Sequence, residues 1–179
     1  MLGPWQLIPD FLSAEECAEQ IRRAEAVGFE DAPVQSFRGV VMRKDIRDNT
    51  RVMLEDPDRA LWIWERLLPL FPVGLAVPGW EPVGLNERLR YYRYDPGQFF
   101  RPHSDGYFQR ENGERSFLTF LVYLNDDFVG GETCFPGEVI QPERGTALLF
   151  SHPGRHESQT VEYGRKYVLR SDVMFRRLA

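Results

Sequence analysis

The feature that most constrains the fold is a change to a two-residue hydrophobic period at residue 85. Apolar and polar residues alternate over 85–91, as is typical of a strand with one buried face. Further strand-like runs follow, separated by clusters of Gly, Pro, Asn and Asp; the runs are 117–124, 146–150 and 166–175. Many short strands joined by such turns predict a sandwich or jelly-roll core over about 85–179.

The first half of the chain carries two helix signals instead. Ser13 followed by Glu16 forms a capping box, which predicts a helix over about 14–27. An Asp-Pro pair then predicts a second helix over about 57–68. We therefore expect a mainly β fold with N-terminal helices, in which the helical support covers about 1–84.

Length and composition bound the class of protein. The 179 residues suit a single domain over 1–179, and 42% hydrophobic with 27% charged residues is typical of a soluble globular chain. The formal net charge of −5 counts against a nucleic-acid partner. No apolar run is long enough to span a membrane, so no membrane partner is expected.

The N-terminus and the cysteines bear on location. No basic segment followed by an apolar core opens the chain, so no signal peptide is predicted. Cys17 and Cys134 lie far apart and form no C-x-x-C pair, which favours reduced thiols. Together these features predict a cytoplasmic protein.

A His-Ser-Asp tripeptide carries the first chemical signal. In a strand, His103 and Asp105 would point to the same face. An imidazole and a carboxylate are two of the three ligands of the facial triad that holds non-haem Fe(II). Such a tripeptide is weak evidence alone, because surface His and Asp are common. The third ligand would be His152 or His156, which both follow the strand-like run 146–150.

The strand predicted after these histidines carries a second signal. Lys166, Val168 and Arg170 share one face of it. A buried cation near an iron site needs an anionic partner. A dicarboxylate co-substrate would provide one.

From residue 89 to 177 the chain resembles the prolyl 4-hydroxylase-like branch of the Fe(II)/2-oxoglutarate-dependent oxygenases. The order and spacing of the family's motifs are kept over about half of the chain, which is far more specific than the tripeptide alone. The matching segments are 94–105 with the His-Ser-Asp tripeptide, 115–125, 130–136 with Gly-Gly-Glu, 142–150 and 156–167. The resemblance implies a double-stranded β-helix (jelly-roll) core.

The same resemblance implies the metal site. His103, Asp105 and His156 would bind Fe(II). Lys166 lies ten positions after His156, as the family's co-substrate-binding basic residue does, and this spacing favours His156 over His152.

It also implies a 2-oxoglutarate site. Lys166 would bind the distal carboxylate, and Tyr94 matches a tyrosine nine positions before the first iron ligand. Thr119 and Tyr123 match inward positions on the next strand. Arg170 stands where the family places a polar residue near the same carboxylate.

The implied activity is hydroxylation of a C–H bond with O2, while 2-oxoglutarate becomes succinate and CO2. The substrate would be a prolyl or other residue in a peptide or protein, or a related small molecule. Asp105 favours hydroxylation, because related halogenases lack this carboxylate. A nucleic-acid demethylase, a cupin-like enzyme and a non-catalytic jelly-roll binding module are alternatives. The acidic balance counts against the first and His-x-Asp in place of His-x-His against the second.

Substrate contacts are predicted on two segments that flank the metal pair, because loops on a rigid scaffold commonly carry specificity. These segments are residues 31–55 and 106–115. Asn49, Arg51 and Arg115 are the residues we expect to contact substrate, although 47–52 also has the composition of a solvated loop.

Overall fold

A computed structural model describes residues 5–36 and 39–178 of the chain. The two predicted helices are confirmed as α1, Ala14–Val27, and α2, Pro57–Leu67. The capping box of α1 is formed in both directions, with Ser13 Oγ accepting from the Glu16 amide and Glu16 accepting from the Ser13 amide. None of the described helices is long and apolar enough to cross a membrane.

Two 3-10 turns, Leu68–Leu70 and Val73–Leu75, follow α2. Strands dominate the rest of the described chain. In chain order they are β1 Trp5–Ile8, β2 Glu30–Asp31, β3 Val34–Ser36, β4 Gly39–Val41, β5 Arg47–Asp48, β6 Thr50–Glu55, β7 Trp80–Leu85, β8 Arg88–Tyr94, β9 Phe99–His103, β10 Arg115–Tyr123, β11 Val129–Gly130, β12 Thr133–Phe135, β13 Glu138–Ile140, β14 Ala147–Ser151, β15 His156–Ser158, β16 Val161–Tyr163 and β17 Lys166–Arg177.

Two antiparallel sheets build the core. The major sheet has the strand order β1-β14-β10-β17-β8-β6-β2, and β7 pairs with the distal part of β17. The minor sheet has the order β13-β12-β15-β9-β5. The pairs β3–β4 and β11–β16 form separate two-stranded ribbons. The non-consecutive strand orders are those of the jelly roll that the sequence predicts.

Each face of the major sheet has its own apolar cluster. One cluster joins this sheet to α1 and α2, and it includes Leu89 and Phe120. The other joins residues of the major sheet to residues of the minor sheet such as Phe135. Because side chains alternate along a strand, neighbours on β8 divide between the faces. Tyr91 bonds Gln20 of α1, whereas Tyr92 belongs to the cluster between the sheets.

The first 84 residues are not only a helical support. β1, β2, β6 and β7 join the major sheet and β5 joins the minor sheet. β6 pairs with β8 over its whole length, so the segment 47–52 is paired strand rather than solvated loop. The segment at residues 37–42 is strand-like in sequence; β4 occupies Gly39–Val41 of it, and residues 37 and 38 lie outside the described part of the chain.

Candidate active site

The two histidines predicted as metal ligands face each other across a strand pair. His103 ends β9 and His156 begins β15, and these two residues are direct partners in the antiparallel register. Asp105 lies beyond the end of β9, where its amide donates to the carbonyl of His152 at 3.0 Å. β9 therefore ends at His103, and Asp105 does not share a strand face with it as predicted. The hydrogen bond between the Asp105 amide and the His152 carbonyl places the carboxylate instead. One ligand atom from each of the three residues lies within 4.8 Å of the others.

Hydrogen bonds to backbone carbonyls fix the orientation of both imidazoles. Nδ1 of His103 bonds the Arg101 carbonyl at 2.8 Å, and Nδ1 of His156 bonds the Gly154 carbonyl at 2.9 Å. A carbonyl oxygen only accepts, so each Nδ1 carries the hydrogen and each Nε2 presents a lone pair. Both Nε2 atoms lie 3.8 Å from an oxygen of Asp105.

Burial keeps the imidazoles neutral. It lowers the pKa of His103 to about 4 and also lowers the pKa of His156, because the charged form loses hydration. The ring of Phe100 stacks on His103 at 3.5 Å between centroids, and Phe150 meets His156 edge-on at 4.5 Å. Neutral imidazole is the form that binds a metal ion.

Asp105 is ionised although it is buried. Burial alone would raise its pKa, but the Arg170 guanidinium, the Thr119 hydroxyl and the two histidines together outweigh this effect, and the pKa falls below its usual range. Nη1 of Arg170 lies 3.0 Å from Oδ1, and Thr119 Oγ1 donates to Oδ2 at 2.6 Å. Arg170 also reaches Asp172 at 3.3 Å, so its charge is shared by two carboxylates.

This donor set fits Fe(II). Two neutral imidazole nitrogens and one carboxylate converge, and this combination is the facial triad that leaves coordination positions open for other ligands. Each imidazole is oriented by a bond from its remote nitrogen, as metal-binding histidines are. His103, Asp105 and His156 are therefore the residues that would hold the ion.

Lys166 is a buried cation at some distance from this triad. It is 2% exposed, and its Nζ donates to the Gly131 carbonyl at 2.6 Å and to Ser158 Oγ at 2.9 Å. Among the described residues it forms no ion pair with a carboxylate, and Glu132 acts on it only at longer range. Burial therefore lowers the pKa of Lys166 to about 7. A dicarboxylate such as 2-oxoglutarate would supply the missing negative charge.

A single pocket between the two sheets connects these groups. Its volume is about 480 Å³ including the open mouth. All eight residues predicted to bind metal or co-substrate line it. The lining residues are Tyr92, Tyr94, Phe100, His103, Asp105, Thr119, Leu121, Tyr123, Thr133, Phe150, His156, Glu157, Ser158, Lys166, Val168 and Arg170.

The predicted co-substrate residues divide between the two ends of the pocket. The rings of Tyr94 and Tyr123 have their centroids 5.2 and 5.7 Å from the Nζ of Lys166. Thr119 and Arg170 instead contact Asp105. Arg170 lies four positions after Lys166 on β17, about 13 Å along the strand, so its predicted role beside the distal carboxylate stays a prediction.

The three predicted substrate residues do not line the pocket. Asn49 is 2% exposed, and its amide accepts from Arg47 and donates to the Thr50 carbonyl. Arg51 lies on β6 opposite Tyr92 in register. The Arg115 guanidinium stacks on Tyr107 at 3.7 Å. The side chains of Asn49 and Arg115 make internal contacts instead.

Sequence reasoning missed the contribution of Tyr92 to the pocket. Burial would raise its pKa, but Arg170 and Arg47 lower it to about 8. The alternation of side chains along a strand could have identified it, since Tyr92 precedes Tyr94 by two positions on β8 and shares its face. His152, the rejected third ligand, is also close: its Nδ1 lies 3.1 Å from Thr119 Oγ1.

Comparisons with known proteins agree with this geometry. Residues 89–171 match the family model of the 2OG-Fe(II) oxygenase superfamily. Prolyl 4-hydroxylase 1 of Arabidopsis thaliana is 30% identical over 164 residues, which cover 80% of this chain and 56% of that protein. The chain thus spans about half the length of the curated relatives it matches.

Solved structures show the same fold. The viral collagen prolyl hydroxylase of Paramecium Bursaria Chlorella virus-1, solved as a 2OG complex, superposes with a TM-score of 0.68 at 20% identity, over 96% of both chains. A Trichoplax adhaerens prolyl hydroxylase in complex with a hypoxia inducible factor peptide fragment gives 0.68 at 19% identity, over 95% of this chain and 83% of that one. Motif spacing, family match and fold together show that the chain belongs to the 2OG-Fe(II) oxygenase superfamily, in its prolyl 4-hydroxylase-like branch.

Proposed function

We propose that this protein is an Fe(II)- and 2-oxoglutarate-dependent dioxygenase that hydroxylates a prolyl residue in a peptide or protein. One observation carries the proposal. A single pocket has a His-Asp-His ligand set at one end and, at the other, a buried lysine that pairs with no carboxylate of the described residues. The first arrangement suits a divalent metal, and the second suits the far carboxylate of a dicarboxylic acid.

Bound Fe(II), with 2-oxoglutarate and O2, supplies the oxidation that places oxygen on the substrate carbon and releases succinate and CO2. The chain's own residues orient and shield these partners. Carbonyl bonds hold each imidazole with Nε2 toward the ligand cluster. Lys166 attracts the far carboxylate, while Tyr94 and Tyr123 flank the ammonium group. The apolar walls at Leu121, Phe150 and Val168 exclude water.

The substrate class is supported by relatives of this chain. The curated relatives are named prolyl 4-hydroxylases, and one structural neighbour holds a peptide fragment. Two exposed aromatic side chains, Tyr107 and Phe108, follow the pocket-lining Asp105 in the chain. A prolyl ring in an extended peptide suits such a surface.

We also propose the cytoplasmic location that the sequence predicts. Cys17 and Cys134 are both free thiols. Unpaired thiols are common in a reducing compartment, which supports this location.

The deciding measurement is anaerobic visible absorption of the purified protein with Fe(II), before and after addition of 2-oxoglutarate. A keto acid chelated to Fe(II) gives a weak charge-transfer band. We expect this band in the wild-type protein and its loss in His156→Ala. The absence of the band in folded wild-type protein with ample iron would support a non-catalytic binding module instead.

A second measurement tests turnover and substrate class together. Proline-containing peptides are incubated with the protein, Fe(II), 2-oxoglutarate and O2, and hydroxylation is followed by mass spectrometry together with succinate release. We expect a peptide product that carries one added oxygen atom, in equal amount to succinate above the uncoupled background. The matched control peptide replaces the proline by alanine. Succinate that rises equally with both peptides would contradict a prolyl substrate.

A further inference from the structure

A chain of hydrogen bonds leads from the segment after the metal pair back to Asp105. The amide of Phe108 donates to Ser116 Oγ at 2.8 Å, and Ser116 Oγ lies 2.9 Å from Nε2 of His152. Nδ1 of His152 lies 3.1 Å from Thr119 Oγ1, which donates to Oδ2 of Asp105 at 2.6 Å. Three side chains therefore connect a backbone amide to a proposed iron ligand.

The direction of every bond in this chain follows from chemistry. The ionised Asp105 only accepts, so the Thr119 hydroxyl gives it its one hydrogen. Thr119 Oγ1 must then accept from Nδ1 of His152. With its one ring hydrogen on Nδ1, the neutral His152 ring accepts the hydrogen of the Ser116 hydroxyl at Nε2. The Ser116 oxygen in turn accepts from the Phe108 amide. Only one arrangement of hydrogens satisfies all four bonds.

Burial prevents water from competing with these hydrogen bonds. Ser116 and Thr119 are fully buried and His152 is 4% exposed, so water does not replace a lost partner. The backbone reinforces the link, because the His152 carbonyl accepts from the Asp105 amide and the His152 amide donates to the Phe117 carbonyl. A buried donor or acceptor that loses its partner is strongly disfavoured. These four hydrogen bonds are therefore expected to hold Ser116, His152 and Thr119 in one geometry.

We propose that His152 is a positioning residue that fixes the Asp105 carboxylate through Thr119 and couples it to the backbone at Phe108. It does not bind the metal itself: its two ring nitrogens are both engaged by hydroxyl groups. This inference rests on the proposed function, since it takes Asp105 as an iron ligand. It assigns the histidine a role that the spacing of the family motifs does not give.

The coupling reaches a surface that meets substrate under the proposed function. Tyr107 is 58% and Phe108 37% exposed, and both lie within the segment 106–114 that follows Asp105. A shift of the Phe108 backbone would remove a donor from Ser116, and the loss would pass through His152 to Thr119. The orientation of the iron ligand thereby depends on the position of this segment.

The test measures binding of Co(II) alone to the metal-free protein by titration and by the visible ligand-field spectrum. Groups that orient metal ligands contribute about 10- to 100-fold to metal affinity. We expect His152→Leu to weaken Co(II) binding by that factor and to change the band positions. His152→Gln, whose amide both donates and accepts, is expected to stay within about threefold of wild type.

Two controls separate positioning from general damage. Ser104→Ala removes a neighbouring exposed hydroxyl that bonds the Pro153 carbonyl, outside the chain of bonds, and should leave Co(II) affinity unchanged. Hydrogen exchange of the Phe108 amide should become faster in His152→Leu, while exchange in the centre of β10, at Leu121, should not change. A variant that is merely unstable would speed exchange at both positions.

A double variant tests the route through Thr119. Thr119→Val and His152→Leu act on the same bond to Asp105, so the double variant should bind Co(II) no more weakly than Thr119→Val alone. Additive losses would overturn the proposal, as would unchanged affinity and spectrum in folded His152→Leu. Wild-type protein that binds no Co(II) would overturn the proposed function as well, whereas normal wild-type binding with an unaffected His152→Leu would overturn this inference alone.

Discussion

The two ends of the pocket differ in how their charges are balanced. At the triad end, Asp105 pairs with Arg170, accepts from Thr119 and lies beside two neutral imidazoles. At the other end, the hydrogen-bond partners of the Lys166 ammonium group within the described part of the chain are a neutral carbonyl and a hydroxyl. The protein's own side chains balance the charge at the triad end, whereas a bound anion would balance the charge of Lys166.

The triad end is thus formed in the ligand-free protein, whereas the lysine end is completed only when a ligand binds. A ligand set that is already oriented binds a metal without reorganisation, so the triad end is prepared before any partner arrives. A buried cation without a counter-charge is unfavourable, and the binding of a carboxylate removes that penalty. Changes at the two ends should therefore affect different measurements.

The largest effect is expected at the triad end. His103→Ala removes one of the three ligand atoms, and turnover should fall below detection because Fe(II) is no longer retained. The measurement is Fe(II) content after desalting, together with succinate release. Ser104→Ala, in the same tripeptide, is the control and should keep both. Retained iron and turnover in His103→Ala would remove this residue from the site.

The next effect concerns Lys166. Lys166→Met keeps the volume of the side chain but removes the charge, so 2-oxoglutarate should bind about 10- to 100-fold more weakly, the usual worth of a charge-assisted hydrogen bond. The measurement is the 2-oxoglutarate concentration that gives half of the charge-transfer band, with Fe(II) saturating. An unchanged value would place the far carboxylate elsewhere in the pocket.

The two ends should also differ in what they contribute to the stability of the ligand-free protein. Asp105→Ala leaves Asp172 as the one carboxylate partner of the buried Arg170 among the described residues, and should lower the free energy of unfolding by about 2 kcal/mol. Lys166→Met should change it by less than about 1 kcal/mol, because relief of the buried charge offsets two lost hydrogen bonds. Urea unfolding of both variants is the measurement. Equal losses would show that the two ends are balanced alike.

The smallest effect is a pH dependence of co-substrate binding. The pKa of Lys166 is lowered to about 7, so above this pH the ligand-free amine is neutral. A bound carboxylate favours the charged amine, so binding takes up a proton at high pH, and affinity should fall about fivefold between pH 7 and 8. Below the pKa the amine is already charged and little uptake is expected.

Calorimetry under anaerobic conditions, in two buffers of different ionisation enthalpy and with Mn(II) as the metal, measures this proton uptake. Lys166→Arg is the matched control, because a guanidinium stays protonated throughout. The same uptake in the arginine variant would assign the proton to another group.

The residues of the site were largely predictable from the sequence. His-x-Asp and a later histidine indicate a metal site, and motif spacing separates His156 from His152. Strand parity places Thr119 with Tyr123 and Lys166 with Arg170 on the pocket side, as the structure shows. These predictions succeed because they depend on local period and on spacing within motifs.

The remaining contacts could not be predicted, because they depend on register between strands that are distant in sequence. Arg47 illustrates this: its guanidinium lies between the rings of Tyr92 and Phe100, at 4.6 and 4.5 Å, and bonds Asn49. From sequence alone, an arginine and an asparagine in a polar run look exposed. The partner of Asp105 was missed for a similar reason, since Arg170 comes from the strand β17 in the other sheet.

The number of residues between His156 and Lys166 is constrained, because these two residues have fixed positions at the two ends of the pocket. β15 begins at the first residue and β17 at the second, and the turn before β17 contains Gly164 at φ +78°, where an added Cβ would lie 2.8 Å from the Asp127 carbonyl. A one-residue insertion or deletion here would shift β17 by one position and turn Tyr167 and Leu169 toward the pocket. A change of length in the exposed turn at Asn112 and Gly113 would leave that register intact. The molecule can therefore vary in length in the exposed segment after Asp105 but not between the metal-binding end and the lysine end of the pocket.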